Sequence, residues 1–125
     1  HITELVDLYP TLASLVELKA PVQLQGKSMV SILKDPASTK WKKDLAFTIS
    51  RNGGESIRTH DWRFTHWGYG SAGMELYDLK NDPGEFTNFA ADPNYSATRN
   101  KLKEKILSKR KEAGYSAKRF GGKKK

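Results

Sequence analysis

Glu75-Leu76-Tyr77-Asp78-Leu79-Lys80-Asn81-Asp82-Pro83-Gly84-Glu85-Phe86-Thr87-Asn88 is the stretch on which the fold turns. Its first five residues, with Leu76 and Leu79 flanking an aromatic, have the composition of a short strand. Asn81-Asp82-Pro83-Gly84 then stops that strand, because proline has no amide hydrogen for a ladder and glycine accepts positive φ. Just upstream, Ser56-Ile57-Arg58-Thr59 and Trp62-Arg63-Phe64-Thr65-His66-Trp67 read as two more strands, with His60-Asp61 as a two-residue hairpin turn between them. Leu45-Ala46-Phe47-Thr48-Ile49-Ser50 alternates apolar and polar residues and reads as a fourth strand with one wet face.

Downstream, Asp92-Pro93 is a cap followed by a first-turn proline, which predicts a helix over 93–113. Tyr95, Thr98, Leu102, Ile106 and Ala113 mark its buried face, and Gly114 ends it. Near the start, Asp7 reads as an N-cap with Pro10 in the first turn. Leu8, Leu12, Leu15 and Val16 form an apolar stripe expected to pack in a core, on a helix ending near Leu18. The fold class is therefore α+β: a four-stranded, mostly antiparallel sheet (45–50, 55–59, 62–67, 75–79) covered by a C-terminal helix.

Composition narrows the functional classes. The 125 residues include no Cys, which excludes disulfide and thiolate chemistry. No apolar run reaches the ~18 residues of a membrane span, so no membrane association is expected. Twelve of the 22 Lys/Arg but only two of the 14 acids lie from Arg99 onward, so that part carries +10 and the remainder −2. The basicity is local and reads as a solvated helix face with a disordered basic tail at 115–125. Gly26-Lys27-Ser28 is not a phosphate loop, since Pro21 stands where the pattern needs its first glycine and no strand precedes it. Gly26 reads instead as a turn residue, and Trp41 as an anchor within a polar loop.

Four segments together resemble the C-terminal subdomain of type I sulfatases, in the alkaline-phosphatase-like superfamily. They are Leu5-Val6-Asp7-Leu8-Tyr9-Pro10-Thr11-Leu12; Leu24-Gln25-Gly26-Lys27-Ser28-Met29 with Ile32-Leu33; the hairpin from Ser56 to Thr65; and Glu75-Leu76-Tyr77-Asp78 with Asp82-Pro83 and Glu85. Within that family the chain is most similar to the iduronate-2-sulfatase branch. Asn52-Gly53-Gly54-Glu55, however, replaces a longer lysine-bearing insert, which leaves another sulfated polysaccharide equally open as substrate. The resemblance implies that residues 1–44 form a helix and loop at the junction with a large N-terminal α/β domain, and that 45–114 form the subdomain proper. The opening His1 in place of Met fits a segment whose start lies elsewhere.

The same resemblance implies a sulfuric ester hydrolase acting on a sulfated sugar or glycosaminoglycan. Its formylglycine and calcium are expected in the missing N-terminal domain, which would be the partner of this segment on the same or a separate chain. The segment itself has no Cys and no Ser-x-Pro-Ser-Arg, so it is expected to contain no catalytic or metal residue and to be inactive alone. Arg51 and Asn52, in the loop that faces the substrate cleft in the family, and His66 and Trp67, in an aromatic glycine-rich loop, are the substrate-binding candidates. A periplasmic, secreted or lysosomal setting follows from the same likeness, and nucleic acid is not an expected partner. The competing class is a stand-alone basic module that docks on a polyanion through its Lys/Arg tail and the Trp67/Tyr69 loop.

Overall fold

The computed structural model describes residues 1–51 and 53–114, and its contacts divide the chain into two compact units, His1–Asp44 and Leu45–Lys125. The expected basic tail at 115–125 lies outside the described residues.

In the first unit a 3-10 turn, Leu5–Asp7, runs into helix α1, Leu8–Leu15, and a short helix α2 spans Val30–Lys34. Asp7 stands at the position expected for a cap, yet its carboxylate makes no capping bond to α1. It is fully buried and accepts from the backbone amides of Glu4 (2.8 Å) and Lys27 (2.9 Å) and from Lys43 Nζ (2.6 Å). Thr11 Oγ1 donates to the Asp7 carbonyl at 2.5 Å and accepts from the Met29 amide at 2.9 Å. One buried carboxylate and one hydroxyl thus tie the 26–29 loop to the helix start. Gly26 is needed for close approach rather than for a turn, because a Cβ there would lie 1.8 Å from the Val6 carbonyl oxygen. Trp41 is the expected anchor, its indole donating to the Ile2 carbonyl at 3.0 Å.

Two expectations for α1 are corrected. It ends at Leu15 rather than near Leu18, because Glu17 adopts φ 58° and the Leu18 amide closes back on the Ala13 carbonyl at 2.8 Å. Its buried residues are Pro10, Thr11 and Ala13, whereas the predicted core stripe is exposed, Leu12 by 62% and Val16 by 64%. The helix turns its small residues to its own loop, which leaves the large ones outward.

The second unit is the predicted four-stranded sheet, and it is a meander: β1 Leu45–Ile49, β2 Glu55–Thr59, β3 Trp62–His66 and β4 Met74–Asp78, in the order β1-β2-β3-β4 and antiparallel throughout. Phe47, Ile57, Phe64 and Leu76 are paired across all four strands, and that row is the centre of the core. Asp92 accepts from the Asn94 amide at 2.9 Å, Pro93 opens a 3-10 turn, and helix α3 runs Ser96–Glu112, closed by Gly114 at φ 63°. Leu102 and Ile106 pack onto the sheet row, while Phe89 and Tyr95 close its side against Trp62. Burying each such side chain contributes about 1.5–3 kcal/mol. Ala113, expected on the buried face, is exposed at the C-terminal end of the helix.

The quoted signature is a hydrogen-bonded knot. Asp78 accepts from the amides of Lys80 and Asn81, each at 3.1 Å, and Asp82 from the Thr87 amide at 2.8 Å. Asn88 Oδ1 accepts from the amides of Leu76 (3.0 Å) and Ala90 (2.9 Å), which covers the free edge of β4. Glu85 takes φ 58° and pairs with Arg63 at 2.9 Å.

Candidate functional site

An up-and-down meander delivers its first and third connections to one end of the sheet and its second to the other. The β1–β2 loop (50–54) and the β3–β4 loop (67–73) therefore share one end, while the His60-Asp61 turn lies at the opposite end. Each loop is closed by its own backbone. Ser50 bridges its loop, accepting from Gly54 on its hydroxyl at 3.0 Å and donating its amide to the Gly54 carbonyl at 2.7 Å. Trp67 does the same for the second loop, its amide reaching the Gly73 carbonyl at 3.0 Å and its carbonyl accepting from Gly70 (2.9 Å) and Ala72 (3.1 Å).

The two loops also touch each other. The Tyr69 amide faces the Gly53 carbonyl at 3.5 Å, and a Cβ at Gly53 would meet the Tyr69 ring at 3.6 Å. A Cβ at Gly54 would lie 3.2 Å from the Trp67 indole. Two consecutive glycines are what let two aromatics lie against the β1–β2 loop. Of the four sequence candidates, Arg51 is exposed in this cluster and Trp67 is half-buried in it, while Asn52 lies outside the described residues.

His66 is placed differently from the other candidates. It ends β3 on the core face, 1% exposed, with Nε2 2.7 Å from Glu55 Oε2. Strand alternation explains this, because His66 is two residues from Phe64 and Glu55 two from Ile57, and all four point toward α3. Arg110, at the end of the Leu102–Ile106 stripe, completes the group: its Nε donates to Glu55 Oε1 at 2.7 Å and a terminal guanidinium nitrogen donates to Oε2. The same guanidinium lies 4.9 Å from the centre of the Tyr69 ring.

Burial alone would push the Glu55 carboxyl up, but the Arg110 and His66 hydrogen bonds outweigh it and hold the group below its ordinary range. Glu55 is thus an anion in the core, matched by Arg110. His66 Nδ1 is buried with no hydrogen-bond partner among the described residues.

Glu55 and Arg110 were not singled out as site residues from the sequence. A signal was present, since Arg110 continues the i, i+4 series from Leu102 and Ile106, and Glu55 falls on the inward phase of its strand. A charge in the phase of a core stripe predicts a buried pair, and the local basic run hid it.

The groups of the cluster are suited to binding and orienting a ligand. They offer an exposed guanidinium and aromatic surface, and their one imidazole is buried. Among the described residues no group of three or more His, Cys, Asp or Glu could hold a metal ion.

Residues 1–112 match the family profile described as N-sulphoglucosamine sulphohydrolase, C-terminal. Over 100 residues the chain is 35% identical to a Δ4,5-hexuronate-2-O-sulfatase of Bacteroides thetaiotaomicron, covering 73% of this chain and 20% of that protein. It is 28% identical over 101 residues to human arylsulfatase K, covering 72% of this chain and 19% of that protein. Among solved structures, a 2-O GAG sulfatase superposes with a TM-score of 0.73 at 28% identity, over 86% of this chain and 24% of that one. A phosphonate monoester hydrolase of Agrobacterium radiobacter superposes with a TM-score of 0.66 at 30% identity, over 85% of this chain and 24% of that one. The chain thus spans about a fifth of the length of the curated relatives it matches.

Proposed function

The chain belongs to the N-sulphoglucosamine sulphohydrolase C-terminal family, and from that premise we propose that it is the C-terminal portion of an enzyme hydrolysing sulfate esters of a sulfated sugar or polysaccharide. In this reading residues 45–114 form one wall of the substrate pocket, and residues 1–44 are the junction with a large N-terminal domain. The observation that carries it is the convergence of the two loops, in which Gly53 and Gly54, from the loop that carries exposed Arg51, lie against the Tyr69 and Trp67 rings at one sheet end. A guanidinium there pairs with a carboxylate or sulfate by charge-assisted hydrogen bonds, and an indole offers a face to a sugar ring. Arg51, Asn52 and Trp67 are the contacts of this reading, while His66, one residue before Trp67, is buried on Glu55.

The exposed large residues of α1 and of the turn that follows it support the junction. Leu8, Leu12, Leu15, Val16 and Leu18 form an apolar surface of the kind an adjoining domain covers. The calcium and formylglycine of sulfatase chemistry do not fit this segment, which has no Cys and, among its described residues, no metal-ligating group. The reading assigns both to the N-terminal domain. The relatives' class suggests a periplasmic, secreted or lysosomal enzyme, and among the described residues no helix is long and apolar enough to cross a membrane. The stand-alone polyanion module is less well supported, because Glu104 and Glu112 interrupt the lysines of α3 and Glu112 pairs with Lys109 at 2.6 Å.

The test is steady-state kinetics of the intact protein that carries this segment, on a 2-O-sulfated uronate disaccharide and on 4-nitrophenyl sulfate. Arg51→Ala is expected to raise KM for the disaccharide about tenfold, the loss of one charge-assisted hydrogen bond, with little change in kcat. Turnover of a phosphonate monoester in preference to either sulfate would overturn the assignment.

A further inference from the structure

We infer that Glu55 and Arg110 are positioning residues for the carbohydrate-facing loops. The inference rests on the site proposed above and gives it a mechanical support. Both Glu55 oxygens are engaged: Oε1 by Arg110 Nε at 2.7 Å, Oε2 by His66 Nε2 at 2.7 Å and by the second arm of the Arg110 fork. A carboxylate wholly inside a sheet–helix core is a poor device for stability, because desolvating the charges offsets their attraction and an apolar replacement serves as well. What a bidentate fork does supply is a fixed plane.

That plane is used. It lies over the Tyr69 ring at 4.9 Å, and Tyr69 sits at φ 59°, a left-handed conformation that side-chain-bearing residues hold only when their surroundings fix them. The Tyr69 ring in turn lies against Gly53, two residues from Arg51. On the other arm of the carboxylate, His66 immediately precedes Trp67. Arg51 and Trp67 therefore each stand within two residues of a group tied to Glu55: Gly53 through Tyr69 and Arg110, and His66 directly.

Kinetics of the intact protein on the same two substrates tests this. Arg110→Lys keeps the charge but loses the fork and the plane, and Glu55→Gln removes the anion. Each is expected to raise KM for the disaccharide about tenfold or more, with kcat within about threefold, and to lower the disaccharide-to-aryl ratio of kcat/KM by a similar factor. Should Glu55→Gln fail to fold, Arg110→Lys and Tyr69→Leu carry the test, since both act at the half-exposed end of the network. If folded Arg110→Lys and Tyr69→Leu leave KM unchanged while Arg51→Ala raises it, the network only stabilises and the inference falls, with the site intact. If Arg51→Ala itself has no effect, the site reading falls and takes the inference with it. Equal losses on both substrates would also overturn it, because loops that only meet the sugar do not alter aryl sulfate turnover.

Discussion

At the scale of single residues, the buried carboxylates decide how stability follows pH. Burial alone raises both, but Lys43 and the Lys27 and Glu4 amides pull Asp7 below 3.8, and Arg110 and His66 pull Glu55 below 4.5. With the folded-state pKa depressed, the unfolded chain binds protons first as pH falls. Their contribution is therefore complete above the ordinary carboxylate range and is lost as pH drops through the lower folded values. Lys43 works in the opposite sense. Burial lowers it, the Asp7 and Glu4 carboxylates raise it further, and its contribution is lost only as pH climbs above 10.5. Urea midpoints are expected to fall between pH 6 and pH 3, and Asp7→Asn to flatten part of that slope. Two backbone positions give further tests. Gly26→Ala is expected to cost about 2–3 kcal/mol by overpacking against Val6, or to prevent folding of the first unit. Glu17→Gly is expected to stabilise it by about 1 kcal/mol by relieving a left-handed residue.

At the scale of elements, α3 and the edge of β4 hold the second unit together. Ile106 has no exposed surface, and Ile106→Ala is expected to cost about 2–5 kcal/mol in chemical denaturation. The signature stretch after β4 offers a sharper comparison. Asn88→Ala leaves the Leu76 and Ala90 amides without their acceptor and is expected to cost about 1–3 kcal/mol. Glu85→Gln removes only a partly exposed pair with Arg63 and is expected to cost less than about 1 kcal/mol. If the order were reversed, the knot would depend on its ion pair rather than on edge coverage.

At the scale of the whole molecule, the segment divides its labours: one unit carries an apolar helix face, the other a two-loop end with a guanidinium and aromatics. The 125-residue chain by itself is expected to hydrolyse neither sulfated disaccharide nor aryl sulfate, and to bind a hydrophobic dye through the α1 face. If the proposed N-terminal domain covers that face, its presence should abolish the dye signal, which fluorescence with and without that domain would check.

The amino-acid order alone determined the strands, the turn at His60-Asp61, the Asp92-Pro93 start and Gly114 end of α3, because alternation, caps and breakers act over a few residues. Arg51 and Trp67, in loops marked by glycine, belong to the proposed site. What lay beyond the amino-acid order was everything set by contact between distant segments. Asp7 looked like a cap and is a buried clamp for Lys27 and Lys43. Gly26 looked like a turn and is a contact with Val6. The α1 stripe looked like core and faces outward. His66, legible as the end of a strand, joins Glu55 and Arg110, positions 11 and 44 residues away in sequence. Local pattern fixes which way a side chain points, but only the packed fold decides what stands opposite it.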